Sequence, residues 1–331
     1  MDDIAERLHI SKNSVSLALG NKKGVSDDLR KRIFETAEEM GYAANSAKNT
    51  LITGCIAILV PAYLHGDSFS YSDIFWTIDK AIRERKLLTI SFIVSKTMEE
   101  DLLLPDFPPE MHVTGMVVVG VLNKKYLARL RRYGVPVVAT DLPHNESEIG
   151  YISSGNINGA YAATEYLISQ GHRDIGFVGP IYFSKVVFER YCGYRNAMMA
   201  NALYVNPSGN ILGDNKLPRM IDSATDLEPY IQNIREMPTA WCCAGDRVAF
   251  SLMNLLLSRG IRIPHEVSVI GFDDIPLATM VLPQLSTVRT DREMLGQVIV
   301  EHLLTPLYNE NALSVQIPTR LVVRDSIRSI L

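Results

Sequence analysis

From residue 54 onward the chain alternates short, wholly apolar, β-branched runs with amphipathic stretches of helical period. The runs lie at Ile56–Val60, Thr89–Val94, Met116–Val121, Val135–Ala139, Ile175–Val178, Ala240–Cys243 and Val267–Ile270. Runs apolar on both faces read as buried parallel strands, because crossover helices cover both sides of such a sheet. Helices are expected between them, for example over Asp73–Arg85, Ala160–Gln170 and Arg247–Arg259. Repeated strand–helix units call for an α/β architecture with parallel sheets. More than 270 residues of this pattern exceed what one core holds, so two lobes with a cleft between them are expected.

The first 42 residues follow a different rule and read as three short helices. Asp2 or Asp3 can cap the first, whose buried stripe is Ile4, Ala5 and Leu8. Ser11 caps the second, with Val15 and Leu19 four apart on one face. Its other face carries Lys12 with Ser16 and Asn13 with Leu17. Ser26 caps the third, Asp27 and Asp28 sit at its positive end, and Leu29, Ile33, Ala37 and Met40 point inward before Gly41 ends it. A core this small is marginal alone. Residues 43–51 are too few and too polar to hold a helix in water, and read as a hinge.

Composition narrows the function. With 331 residues, 47% hydrophobic and 21% charged, the chain is of ordinary globular type. No apolar run approaches the ~18 residues that span a bilayer. The opening MDDIAERLHIS does not resemble a secretory leader, and the four cysteines are too scattered for a disulfide scaffold, so the expected compartment is the cytoplasm. A net charge of -4 gives no global basic footprint. Residues 1–51 carry equal numbers of acids and bases, but Lys12, Lys22 and Lys23 cluster; on charge alone a solvated helical surface is the favoured reading.

In open parallel sheets, ligands bind beyond the carboxyl ends of the strands. There the sequence places Asp141, Asp246, Asp273 and Asp274. Helix capping is the expected role of Asp246 and Asp274, given the Asp preference at N-caps. Asp141 and Asp273 are the better ligand candidates. The chain has no dinucleotide-binding glycine fingerprint, no phosphate-binding P-loop, no G-x-S-x-G and no H-E-x-x-H. Cys242 and Cys243 are adjacent in a strand, point to opposite faces and cannot clamp a metal together. Trp241, mid-strand, reads as core. No enzyme activity, metal or cofactor is expected.

At this point the residues carry a resemblance. The head, from "IAERLHISKNSVSLALG" to "MGYAANSAKNTL", resembles the headpiece of the lactose/galactose repressor (LacI/GalR) family. The strings "SQGHRDIGFVGP", "RYCGYRNAM", "PTAWCCAGD", "VSVIGFDDIPLATMVLPQLSTVRTD" and "IPTRLVVRDS" are similar, in order, to that family's effector domain. The resemblance implies an α/β, two-lobed periplasmic-binding-protein-like core (parallel sheets covered by helices), preceded by an all-α helix-turn-helix headpiece. The implied boundaries are a headpiece at 1–44, a hinge at 45–53 and a core at 54–331. Within the core they are an N-subdomain at about 54–153 plus 287–317 and a C-subdomain at about 154–286 plus 318–331.

By resemblance, the second helix enters the major groove, and Lys12, Asn13, Ser16 and Leu17 face base edges. Ser11, Ser14 and Ser26 would hold phosphates, although capping accounts equally for each serine. Asn21, Lys22, Tyr42, Asn45 and Lys48 complete the implied DNA set. Leu51 would wedge into the minor groove, its alternative being packing on the core. Leu17 stands where arginine is frequent, which predicts an altered base preference. His9 stands where the turn usually has glycine, so a strained but viable turn is expected there. The implied effector residues are Phe69, Tyr71, Asp141, Arg190 and Asp273, with a structural Arg190–Asp273 ion pair as the alternative for the last two. Gly245 and Gly155 replace frequent polar residues, so the effector should differ from the commonest sugars. The expected partners are palindromic double-stranded operator DNA, a carbohydrate-like small molecule and a second copy of the chain. A tetramer through an added terminal coiled coil is not expected. The rival reading is a solute-binding or sugar-sensing protein without DNA binding; it predicts no helical head.

Overall fold

The structure, a computed structural model, describes residues 2–19, 24–39, 54–64, 70–108, 110–143, 149–214, 223–305 and 313–331. The chain divides into two compact units, one ending at Thr53 and the other beginning at Gly54.

The first unit contains α1 (Asp2–Leu8), α2 (Lys12–Leu19) and α3 (Asp27–Glu39). Ile4, Ala5, Val15, Ala18, Ile33 and Ala37 form its buried centre, with Leu8, Ile10, Val25 and Leu29 packed around it. Ser11 caps α2 by accepting from Ser14 N, and Ser26 accepts from Leu29 N at the start of α3. His9 adopts the left-handed conformation at φ 53°, as its place in the turn requires. Arg30 donates to Ala18 O, tying α3 to the last turn of α2. Met40, Gly41 and the hinge lie outside the described residues.

The second unit is built on two parallel sheets. The first comprises β1 (Cys55–Pro61), β2 (Leu88–Val94), β3 (Val113–Val118), β4 (Val137–Ala139), β5 (Gly150–Ser154) and β10 (Ser314–Ile317), in the order β10-β5-β4-β3-β1-β2. The second comprises β6 (Ile175–Val178), β7 (Ala240–Cys243) and β8 (Ser268–Ile270) in sequence order. Every pairing within these sheets is parallel.

Each sheet is covered on both faces, and alternate residues of a strand feed different cores. Ile56, Ile58 and Val60 pack under α4 (Ser70–Glu84) and α11 (Arg292–Leu304), whereas Ala57 and Leu59 pack with α5 (Lys96–Asp101) and α6 (Lys124–Leu130). In the second sheet Ile175, Phe177 and Cys242 meet α7 (Asn156–Ser169) and α8 (Lys185–Ala200). Val178, Trp241 and Cys243 meet α9 (Ala224–Ile231) and α10 (Asp246–Ser258). The neighbouring cysteines thus point to opposite faces, and Trp241 is fully buried. Each buried Ile, Leu or Val in these cores contributes roughly 1.5–3 kcal/mol. Among the described residues no helix is long and apolar enough to cross a membrane.

Three strand readings need correction. β2 is not wholly buried: Leu88 and Ile93 are exposed because it is the edge strand, with only one neighbour. β3 stops at Val118 rather than Val121, because Gly120 turns the chain at φ 103°. β5, β9 (Thr287–Thr290), β10 and β11 (Thr319–Val322) carry no uniform apolar run and were missed among the candidate strands, although the last string of the resemblance covers β11.

The chain passes between the lobes three times. Ile152 packs in the first lobe and Ala160 in the second, Val288 in the second and Leu295 in the first, Ile317 in the first and Leu321 against the second. The middle crossing therefore falls between Val288 and Leu295, not ahead of residue 287. Its strand β9 pairs antiparallel with β11 and so stays with the second lobe. The crossings are joined side by side: Thr290 Oγ1 lies 2.7 Å from Ser154 Oγ, and Gly155 N donates to Ile317 O at 2.7 Å.

Candidate functional site

A cavity of about 230 Å³ opens between the lobes. β1, β3 and β4 aim their carboxyl ends at it from one lobe, and the starts of α8 and α10 from the other, as the open parallel sheet dictates. Its walls are mixed: Tyr63, Leu64, Ile74, Phe183, Ile275 and Leu295 are apolar or aromatic, whereas Asp141, Arg190, Arg247, Asp273 and Arg292 are charged.

Arg190 comes from α8 and is 6% exposed. Its Nε donates to Asn156 Oδ1 at 3.0 Å, Nη1 donates to Ala244 O, and Nη2 donates to Asp273 Oδ1 at 2.8 Å. The guanidinium also lies 3.7 Å from the centre of the Phe272 ring. A buried charge needs this degree of pairing. The ion pair and the lining role therefore coexist. Asp273 pairs with Arg190 from a backbone at φ 106°, followed by Asp274 at φ 52°. Two successive non-glycine residues there store strain. Arg292 offsets it by donating to Asp273 O at 2.7 Å and to Asp274 O at 3.3 Å.

The capping roles expected of Asp246 and Asp274 are not found. Gly245, not Asp246, is the N-cap of α10 and supplies no side-chain cap. Asp246 is 1% exposed; it accepts from Thr287 Oγ1 at 2.6 Å and from Ile275 N at 2.9 Å. Burial, followed by the charge on Asp273, pushes its carboxyl up to about 8. Asp274 is sandwiched between Arg289 and Arg324, and the short helical turn that follows it has Ile275, not Asp274, as its N-cap.

Asp141 serves the opposite lobe. Its oxygens accept from Ser184 Oγ at 2.7 Å and Val186 N at 3.2 Å, at the start of α8, and from Leu142 N at 2.8 Å. Lys185 N donates back to Leu142 O at 2.8 Å. Burial raises the Asp141 carboxyl to about 6, against the pull of these donors. Tyr151 Oη to Glu189 Oε2 at 3.0 Å and the edge contact of Tyr63 with Phe183 add further bridges between the lobes. Arg247, Arg292 and the Tyr63–Phe183 contact were not singled out from sequence. Phe69 lies outside the described residues; Tyr71 is in the first turn of α4, its side chain outside them.

On the first unit, Lys12, Asn13 and Ser16 are exposed along α2, and Leu17 is half-buried. Ser11 and Ser14 share a 2.9 Å hydrogen bond at its N-terminus, and Ser26 starts α3. Asn21, Lys22, Tyr42, Asn45, Lys48 and Leu51 lie outside the described residues. Among the described residues no group of acids, histidines and cysteines could hold a metal ion.

A helical head joined to a two-lobed, parallel-sheet core with a ligand-sized cleft defines a regulator built on a periplasmic-binding-protein core. Residues 1–45 match the model for bacterial regulatory proteins of the lacI family, and residues 164–327 match a periplasmic binding protein-like domain. The chain belongs to the LacI family of bacterial regulatory proteins. It is 27% identical to the probable HTH-type transcriptional repressor ExuR of Bacillus subtilis, covering 98% of this chain and 97% of that one. It is 26% identical to the ribose operon repressor of Haemophilus influenzae, covering 100% and 99%. Among solved structures, a transcriptional regulator CelR–cellobiose complex superposes with a TM-score of 0.69 at 21% identity, covering 98% of each chain. The lac repressor dimer bound to operator superposes with a TM-score of 0.66 at 21% identity and the same coverage.

Proposed function

We propose that the chain is a sequence-specific transcriptional repressor, active as a homodimer on a palindromic operator, whose DNA affinity is set by a carbohydrate-like small molecule in the cleft. The observation that carries this reading is the pairing, in one chain, of two features. One is a small helical head with an exposed polar face on α2; the other is a core whose cleft contains a buried, fully engaged arginine. The relatives' names point the same way, since they include repressors and structures with operator and with cellobiose.

In this reading Lys12, Asn13, Ser16 and Leu17 meet base edges, and Ser11, Ser14, Ser26 and Lys22 meet phosphates. Asn21, Tyr42, Asn45, Lys48 and Leu51 complete the surface around the hinge. Arg190, Asp273, Phe69 and Tyr71 meet the effector, and Asp141 holds the lobes together around it. The cleft senses and does not turn over its ligand. A ligand that binds one lobe arrangement better than the other shifts the population, and the paired heads follow.

The test is selection of duplexes from a random pool by the full-length chain, followed by anisotropy titrations with and without a sugar panel. The reading expects a palindromic consensus, affinity falling steeply with salt, and a change in affinity with at least one small molecule. Failure to enrich any palindrome refutes it.

A further inference from the structure

Asn156 is the first residue of α7 and follows directly on the crossing at Ser154 and Gly155. It is 0% exposed, yet it does not line the cavity. Both ends of its side-chain amide are used. Nδ2 donates to Glu189 Oε2 at 2.8 Å, and Oδ1 accepts from Arg190 Nε at 3.0 Å. Glu189 and Arg190 are neighbours on α8, so one buried amide stands between an anion and a cation. Such an amide has a single orientation. Turned over, it would set its oxygen against the carboxylate and its NH2 against the guanidinium.

Close helix packing lets so short a side chain reach both partners. A Cβ at Gly193, one turn beyond Glu189, would lie 2.2 Å from Ile157 O and 3.0 Å from Ala160 Cβ, so α8 meets α7 with no side chain between them there. The chain of bonds continues in both directions. Toward the cleft, Arg190 Nη2 donates to Asp273 Oδ1 at 2.8 Å and Nη1 to Ala244 O, with the Phe272 ring against the guanidinium. With Nε held by Asn156, all three nitrogens are engaged and the guanidinium plane has one setting. Toward the first lobe, Glu189 Oε2 also accepts from Tyr151 Oη at 3.0 Å. Tyr151 is buried on β5, and Lys185 Nζ lies 4.4 Å from its ring centre. Neither Tyr151 nor Glu189 lines the cavity.

We infer that Asn156 is a positioning residue of the cleft: it fixes the Arg190 guanidinium and, through Glu189, ties it to Tyr151 in the first lobe. This rests on reading the cleft as the effector site and adds how that site is connected. A small molecule that draws or turns Arg190 cannot leave the amide undisturbed, because the amide cannot turn over to follow. Either the Arg190–Asn156 bond breaks and leaves a buried acceptor unpaired, or the displacement passes to Glu189 and its bond to Tyr151. Burial strengthens each of these bonds and makes their energies interdependent. An asparagine that merely satisfied its own polar groups would hold α7 to α8 but give Tyr151 no influence on Arg190.

The test follows the Arg190 Nε–H by NMR in the full-length protein carrying isotope-labelled arginine. Phe272→Leu identifies the signal, since it removes the ring that lies against the guanidinium. Exchange of this hydrogen with solvent should be slow in the wild type and about tenfold or more faster in Asn156→Ala. Tyr151→Phe keeps the ring and removes the donor to Glu189; it touches neither Arg190 nor the cavity. It should speed the exchange about threefold or more, and should add nothing further once Asn156 is gone. Unchanged exchange in Asn156→Ala overturns the positioning role. No effect of Tyr151→Phe in the presence of Asn156, or an equal effect in its absence, overturns the tie to the first lobe. The first of these two outcomes is read even if Asn156→Ala fails to fold. No small molecule is needed, so failure here leaves the repressor reading in place. Duplex selection that enriches no palindrome removes that reading while the Arg190 result stands.

Discussion

Replacing Asp246 with asparagine should change how stability depends on pH, with a sign fixed by its burial. The native carboxyl titrates at about 8, against an ordinary value of 3.8. The folded protein thus holds a proton that the unfolded chain releases. This contribution is fully present below the ordinary value and disappears as pH rises through 8. For a single group with these constants, the loss between pH 6 and pH 8 is about 2 kcal/mol. In a core of this size that corresponds to roughly 5 °C in Tm. Asp246→Asn keeps the shape and one acceptor for Thr287 or Ile275 N but cannot titrate. Thermal denaturation of both proteins at the two pH values gives the answer as a double difference, in which His172, His302 and the other groups distant from residue 246 cancel. The wild type should lose roughly 5 °C relative to the variant on going from pH 6 to pH 8. An equal gap at both pH values would refute the claim that Asp246 is buried as a neutral acid.

Gly193→Ala should destabilise the core by about 3 kcal/mol or more, read by chemical denaturation, because the added Cβ would lie 2.2 Å from Ile157 O where α7 and α8 pack together. Asp141→Ala should leave Ser184 Oγ and Val186 N without their acceptor and cost about 1–3 kcal/mol, with the lobes opening measurably by small-angle scattering. Unchanged scattering would mean that Asp141 does not hold the lobes together. Leu17→Arg should move base preference toward guanine at one operator position in duplex selection, since arginine reads guanine N7 and O6 and leucine cannot. An unaltered consensus would place Leu17 away from the bases.

Much of the fold was legible because its parallel strands are apolar on both faces, and such runs stand out in any context. β1, β6 and β7 are of this kind, and every one of their residues is buried. β5, β9, β10 and β11 were not legible. GYISS, TVRT, SVQI and TRLV are short and partly polar, and they become strands only through neighbours distant in sequence. The same distinction governs the site. The Ser11 cap is local, three residues from its partner, and was readable. Asp246 and Asp274 were misread as caps because their actual partners, Thr287 and Arg324, lie 41 and 50 residues away. Local preference cannot anticipate a partner delivered by the fold. Arg292 was hidden for a related reason: its function depends on two carbonyls that strained backbone brings within reach, and nothing adjacent to it in the chain announces them.

The three crossings between the lobes stand side by side, fastened by Ser154 to Thr290 and by Gly155 to Ile317. Three parallel cords tied at one height resist shearing and twisting but bend readily together, in the manner of a door hung on one row of pins. If the lobes move as the proposed function requires, crossings joined in this way would favour rotation about a single axis.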